Sequence, residues 1–205
     1  MVSTHELGIL RQEVNPIGDY SVIADVSASL VKLLRENMTP DPIPQPEMIG
    51  LASPVDKGDF YLSLYLYNIR ESGDNRRTHM IARGTNEIQF PPMVVDLSFL
   101  LTVQSPAELQ SRALDEHRII GRAMQVLYDH SVLRGSMTVG TLAEQDEEVR
   151  IVMDSLKGES MLNLWNFAET PYRLSVSYTV GPVNIDSTRI RTTKRVSETD
   201  FRIQG

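Results

Sequence analysis

The sequence predicts a mixed α/β (α+β) domain, with helices packed on a central sheet of mostly antiparallel or mixed strands. Three observations carry that expectation. Residues 19–37 and 105–130 place apolar side chains at three- and four-residue steps, the period of a helix with one buried face. Four further stretches alternate with period two, as strands do. The two kinds are interleaved along the chain, as in a domain whose helices cover one sheet.

Residues 19–37 carry the helical stripe Val22, Ile23, Val26, Leu30, Leu33 and Leu34, with Asp19 placed to cap the first turn. In "TPDPIPQPE" every second residue from Pro40 to Pro46 is proline, which forbids helix and favours an extended connector. Residues 60–69 set Phe60, Leu62, Leu64 and Leu66 against Tyr61, Ser63, Tyr65 and Tyr67, a strand covered on both faces. Ordinary packing under a helix accounts for the tyrosines. "RESGDNRRTHMIARGTNE" (70–87) has no period and reads as a long loop or hairpin arm. A second strand over 93–101 alternates Met93, Val95, Leu97, Phe99 and Leu101 with Val94, Asp96, Ser98 and Leu100.

"SPAE" at 105–108 has the form of a capping box, with Ser105 as cap, Pro106 at the first helical position and Glu108 reaching back. The helix it opens has a stripe of Leu109, Ala113, His117, Ile120, Met124 and Leu127, widened by Ile119, Ala123 and Val126, and stops near His130. An acidic turn leads to a strand with Val149, Ile151 and Met153 on one face. A short helix over 159–167 follows, carrying Leu162 and Trp165. A last strand then alternates Tyr172, Leu174, Val176, Tyr178 and Val180 with smaller polar residues. Past Ser187 the apolar content thins. The expected organisation is an arm over 1–18, one domain over 19–187 and an arm over 188–205.

A chain of 205 residues suits one domain with arms rather than two domains. Its formal charge of −7 repels phosphate backbones, so nucleic acid is not an expected partner. The absence of cysteine excludes disulfides, thiolate zinc sites and a cysteine nucleophile together. "MVSTHELGIL" is not a secretory signal, and "MVVDLSFLLTV" is broken by Asp96 and too short to span a bilayer. A soluble protein made in the cytoplasm is expected, without direct membrane insertion.

Catalytic patterns are missing. "GESML" lacks the second glycine of a nucleophile elbow, and neither "KGESM" nor "RGTNE" has the order of a phosphate loop. His5, His79, His117 and His130 are scattered rather than paired one helical turn apart, so no metal site and no cofactor are expected. The remaining enzymatic candidate, a small cytosolic enzyme, would use Asp115, Glu116 and His117 with Asp129 and His130. Adjacent helical residues diverge by about 100°, so these groups do not converge on one reacting atom. His117 reads as a partly buried stripe residue and His130 as a helix terminus. Arg70, Arg76, Arg77 and Arg83 are candidates to meet acidic partners, though Glu71, Asp74 and Glu87 among them fit a solvated loop as well.

Four blocks in order, "YSVIADVSASLVKLLREN" (20–37), "PPMVVDLSFLLT" (91–102), "IIGRAMQVLYDHSVLRG" (119–135) and "TPYRLSVSYTVGPVNIDS" (170–187), resemble the N-terminal domain of cap, or tail-terminator, proteins of phage-tail-like contractile injection systems. The resemblance implies a structural protein without catalytic residues. It implies a homo-oligomeric ring, expected to be sixfold, that ends the inner tube and sheath at the end distal to the baseplate. Its partners would be itself, the tube protein and the sheath protein. The nearest alternative is the terminator of a contractile phage or prophage, which joins tail to head. In the tail, Ile190, Arg191, Lys194, Arg195, Phe201 and Ile203 lie in a segment able to extend and add as a strand to a sheet edge. Under the resemblance that edge belongs to the sheath or a neighbouring subunit, with Phe201 as the apolar anchor.

Overall fold

The computed structural model describes residues 20–56, 58–75, 77–84, 86–144, 148–155, 163, 165 and 171–192. Helix α1 (Val22–Met38) follows the apolar period, burying Val22, Val26, Leu30, Leu33 and Leu34. Its N-cap is Ser21, whose carbonyl accepts the Asp25 amide at 3.0 Å, while the expected cap Asp19 lies outside the described residues. The proline-spaced connector does not run extended. It turns back, the Ile43 amide donating to the Met38 carbonyl at 3.1 Å, because Ile43 is apolar and finds full burial against the helix end. A single 3₁₀ turn (Pro46–Met48) then feeds β1 (Ile49–Leu51), a strand too short to show any period in the sequence.

The remaining elements are β2 (Leu62–Glu71), β3 (Ile81–Arg83), β4 (Glu87–Gln89), β5 (Met93–Val103), α2 (Leu109–Asp129), β6 (Val132–Leu133), α3 (Thr141–Glu144), β7 (Val149–Met153), β8 (Ser175–Ile185) and β9 (Ile190–Thr192). Six strands form one sheet in the order β1-β2-β5-β8-β7-β6, antiparallel except where β1 meets β2. At the β1 edge the Arg35 guanidinium donates twice to the Ile49 carbonyl, at 2.9 and 2.7 Å. That contact occupies an acceptor that an incoming strand would need.

Both long helices lie on one face of this sheet. Leu62, Leu64, Leu97, Phe99, Leu101 and Val180 form a single cluster with the α1 stripe and with Ile119, Ile120, Ala123, Val126 and Leu127 of α2. The opposite face is also covered at its centre, where Ser98, Leu100, Thr102, Ser175 and Ser177 are buried. Tyr65 stands in register with Leu100 and Ser177 on that face, so among the described residues the tyrosine row does not pack under a long helix as expected. It is tied by hydrogen bonds instead: Tyr67 donates to Ser177 Oγ (2.8 Å), which donates to Asp154 Oδ2 (2.9 Å), and Thr179 donates to Asp154 Oδ1 (2.7 Å).

The segment after α2 is fastened to α1. Asp25 Oδ2 accepts from the amide and hydroxyl of Thr141, at 2.8 and 2.7 Å, and the Val139 amide donates to Ser29 Oγ at 3.1 Å. Gly140 makes this possible: its φ is +62°, and a Cβ there would overlap the Asp25 carboxylate.

Helix α2 departs from expectation at its start. Ser105 does not cap it; Glu108 is at the N-cap position, and Ser105 Oγ accepts the Ala107 amide (3.0 Å) and donates to the Asp115 carboxylate. With its proton given to Asp115 and its oxygen accepting from Ala107, the serine is held in the turn ahead of the helix. The stripe is buried only from Ile119 onward, and Leu109, Ala113 and His117 are exposed on a helical end that projects beyond the sheet. The C-terminus is where the sequence put it: the His130 amide donates to the Val126 carbonyl at 3.0 Å and its Nδ1 lies 3.0 Å from the same oxygen. The short helix expected over 159–167 falls outside the described residues apart from 163 and 165; Trp165 is buried and meets Tyr172 edge-on at 5.7 Å.

A second sheet, β3-β4-β9, forms a hairpin arm beyond the ends of β5 and β8. The tail therefore begins by adding a strand to this chain's own hairpin, with Ile190 opposite Gln89 and Arg191 opposite Ile88. At the junction the Phe90 amide donates to the Arg189 carbonyl at 3.0 Å and the Arg189 guanidinium covers the Phe90 ring at 3.9 Å. Arg83 donates to Gln89 Oε1 (2.6 Å) and Asp186 Oδ2 (3.3 Å), and Gln89 donates in turn to the Ser187 carbonyl.

Two predictions follow from these packings. Ile120→Asp places an unpaired charge in the core and costs several kcal/mol, roughly half or more of a domain's stability, seen as loss of soluble protein, whereas His117→Gln leaves the melting temperature unchanged. Arg83→Ala removes the hydrogen bonds that Arg83 gives to Asp186 and Gln89 and loosens the arm by about 1–3 kcal/mol. Limited proteolysis then cleaves between residues 72 and 92 sooner than in the wild type, with little change in the melting of the body.

Candidate protein interface

The structure sorts the four loop arginines into different roles. Arg70, near the end of β2, has its side chain 64% exposed and its Nε 3.5 Å from the Asp96 carboxylate, an ion pair at the base of the arm. Arg77 is exposed on the arm, and Arg76 lies outside the described residues. Arg83 faces inward: its side chain is only 16% exposed and its partner Asp186 13%, so the pair is an internal lock between the hairpin and the end of β8. Counting charges in the loop could not separate these cases, because the partner of Arg83 is distant in sequence.

Ile190 and Arg191 are exposed on β9, at the edge of the arm sheet, but their backbones are already paired with β4. Lys194, Arg195, Phe201 and Ile203 lie outside the described residues. The exposed charge and the strand edge thus converge on one projecting element rather than on a pocket.

The residues weighed for catalysis do not converge. Asp115 and Glu116 bond to Ser105, His117 and His79 are exposed, and His130 closes its own helix. Among the described residues no group of three or more His, Asp or Glu could hold a metal ion. Burial raises the pKa of the Tyr178 phenol, so it stays protonated at neutral pH. No helix among the described residues is long and apolar enough to cross a membrane.

Sequence periodicity missed a second set of residues. On α2 and β7 the side chains of Leu109, Leu114, Tyr128, Val152 and Met153 are each exposed. A signal was present: Leu114, Gly121 and Tyr128 recur every seven residues on the side of α2 turned away from the buried stripe.

Comparison with known proteins bears on this architecture of body and arm. No curated protein matches the chain. The solved structure of the PVC sheath/tube terminator of an extracellular contractile injection system, in its extended state, superposes with a TM-score of 0.61 at 16% identity, covering 89% of this chain and 63% of that one. The tube-terminating cap of the anti-feeding prophage does so with a TM-score of 0.56 at 18% identity, covering 88% of this chain and 61% of that one. This chain therefore spans less than two thirds of the length of either, and at such identities the likeness is one of fold. The family model of the Pvc16 N-terminal domain matches residues 25–199, which take in both the body and the arm. The chain belongs to the Pvc16 N-terminal domain family.

Proposed function

We propose that this protein is a structural cap of a contractile injection system, a subunit of a ring that ends the inner tube and sheath at the end away from the baseplate. The observation that carries the reading is the shared fold: the two solved relatives are a sheath/tube terminator and a tube-terminating cap, and the likeness extends over nearly nine tenths of this chain. A ring of six such subunits, without enzymatic activity, is the form expected. Assembly takes place in the cytoplasm, and the finished particle carries the cap with it.

The architecture suits that task. A terminator needs a rigid body to hold its place in a ring and an element that reaches past it. The doubly covered sheet supplies the first and the hairpin arm the second. The exposed arginines on the arm, Arg70 and Arg77 with Arg76 beside it in sequence, are suited to acidic groups on the tube or sheath. In this reading the segment with Lys194, Arg195, Phe201 and Ile203 meets a sheath or neighbouring subunit.

Electron microscopy of the purified protein mixed with isolated tube-sheath particles tests the proposal directly: rings at one end of each particle are expected, and monodisperse single subunits that ignore the particles would refute it. Two variants refine it. Deleting residues 193–205 leaves body and arm folded but yields particles that lose the cap or vary in length, whereas deleting 188–205 also removes β9 and exposes the hairpin to protease. In co-sedimentation at low salt, the Arg76→Glu, Arg77→Glu variant binds particles more weakly than wild type. Added salt narrows the difference, because screening acts over about 10 Å at 0.1 M.

A further inference from the structure

The six-stranded sheet ends at β1, and between that edge and α1 lies a groove of about 560 Å³. Val31, Lys32 and Arg35, one helical turn apart along α1, form one wall; Gly50, Leu51 and Phe60 form the other. Gly50 is required here, because a Cβ at that position would overlap the Phe60 ring.

The backbone of β1 shows what the groove can hold. The Tyr61 amide donates to the Met48 carbonyl at 2.8 Å and the Ala52 amide to the Leu64 carbonyl at 3.1 Å, so residues 48 and 52 face β2. By the alternation of a strand, Ile49 and Leu51 turn their amides and carbonyls the other way. Arg35 reaches the Ile49 carbonyl from the α1 wall, which puts this open side of the strand in the groove. The Ile49 amide already donates to the Pro46 carbonyl within the 3₁₀ turn. An added strand is left with the amide and carbonyl of Leu51 and, behind Arg35, the carbonyl of Ile49. The Leu51 side chain beside them is 51% exposed.

The charge of the walls selects the partner. Lys32 donates to the Ser136 carbonyl at 2.6 Å and Arg35 to that of Ile49, both neutral acceptors. Among the described residues neither cation meets a carboxylate. The groove thus sets two cations against one acid, Glu36, in a chain whose formal charge is −7.

We propose that this groove takes up an extended acidic peptide of a partner protein, which adds to β1 as a further strand and brings a carboxylate to Lys32 and Arg35. Arg35 is the latch. A hydrogen bond to a carboxylate is roughly twice as strong as one to a neutral carbonyl, so an acidic side chain draws the guanidinium off Ile49 and frees the acceptor that the new strand needs. A neutral strand has nothing to draw Arg35 away and meets a blocked edge. This site is separate from the arm and the tail, and it does not depend on the cap reading.

Fluorescence anisotropy at low salt, with short labelled peptides and the full chain, tests the site. A peptide alternating valine and glutamate is expected to bind at least about tenfold more tightly than one alternating valine and threonine. Hydrogen exchange followed by NMR slows at the Leu51 amide when the acidic peptide is present. Methylating the backbone nitrogens of that peptide removes its donors, keeps its charge and abolishes binding. Arg35→Ala opens the Ile49 carbonyl and brings the two peptides within about threefold of each other, chiefly by strengthening the neutral one; this ratio is insensitive to any loss of stability. Equal binding of the two peptides by the wild type, binding that survives methylation, or slowed exchange at β6 or β9 in place of Leu51 each overturns the proposal. So does a wild type that binds no acidic peptide at millimolar concentration. A wild type that binds only after residues 1–19 are deleted, or that dimerises through β1, has the groove filled by its own chain, and this too overturns the proposal.

Discussion

Strand β5 must be buried on both of its faces, and most of the molecule follows from that. Val95, Leu97, Phe99 and Leu101 face the helices while Val94, Ser98, Leu100 and Thr102 face the other way, and all of these are buried. A strand with no solvent face cannot slip by one residue without exchanging its whole apolar set, so its register with β2 and β8 is fixed. The small hydroxyl residues of the second face make this tolerable. Thr102 donates to Ser175 Oγ at 3.0 Å, and Ser177 and Thr179 share the Asp154 carboxylate, so polar groups set against the sheet are satisfied within it.

That constraint also explains what the sequence reveals. The period-two pattern of residues 93–101 and the stripe of α1 are strong because one environment acts on each residue in turn. For β8 the alternation in the sequence reaches only Val180, short of Gly181 and Pro182. The structure carries the strand through them to Ile185 by shifting register against β5 between Val95 and Leu97, an irregularity that accommodates a residue lacking an amide donor.

Other features depend on contacts that no local pattern encodes. The three residues of β1 are too few to show a period, and β9 looked like the start of a free tail because its partner β4 lies far back in the chain. "SPAE" has the right residues for a cap, yet the carboxylates of Asp115 and Glu116, half a helix further on, accept from the Ser105 hydroxyl and amide. Among the candidate docking residues, Arg70 and Arg77 are exposed, whereas Arg83 resembles them in sequence and faces inward to Asp186. The body and its helices were thus readable from periodicity, and the sorting of the site was not.

The arm has a mechanical consequence. It is carried by β5 and β8, which pair along nearly their whole length within the body, and by β2, which pairs with β5 on the other side. A pull on the arm along the strand direction loads these ladders in shear, so that many backbone hydrogen bonds resist together. A peeling force would instead break them one at a time. The subunit is therefore built to transmit tension from its arm into its body along the strands, and to yield first at the short Phe90–Arg189 junction, where one backbone bond, one stacked guanidinium, the Gln89–Ser187 bond and the Arg83–Asp186 pair join the two sheets.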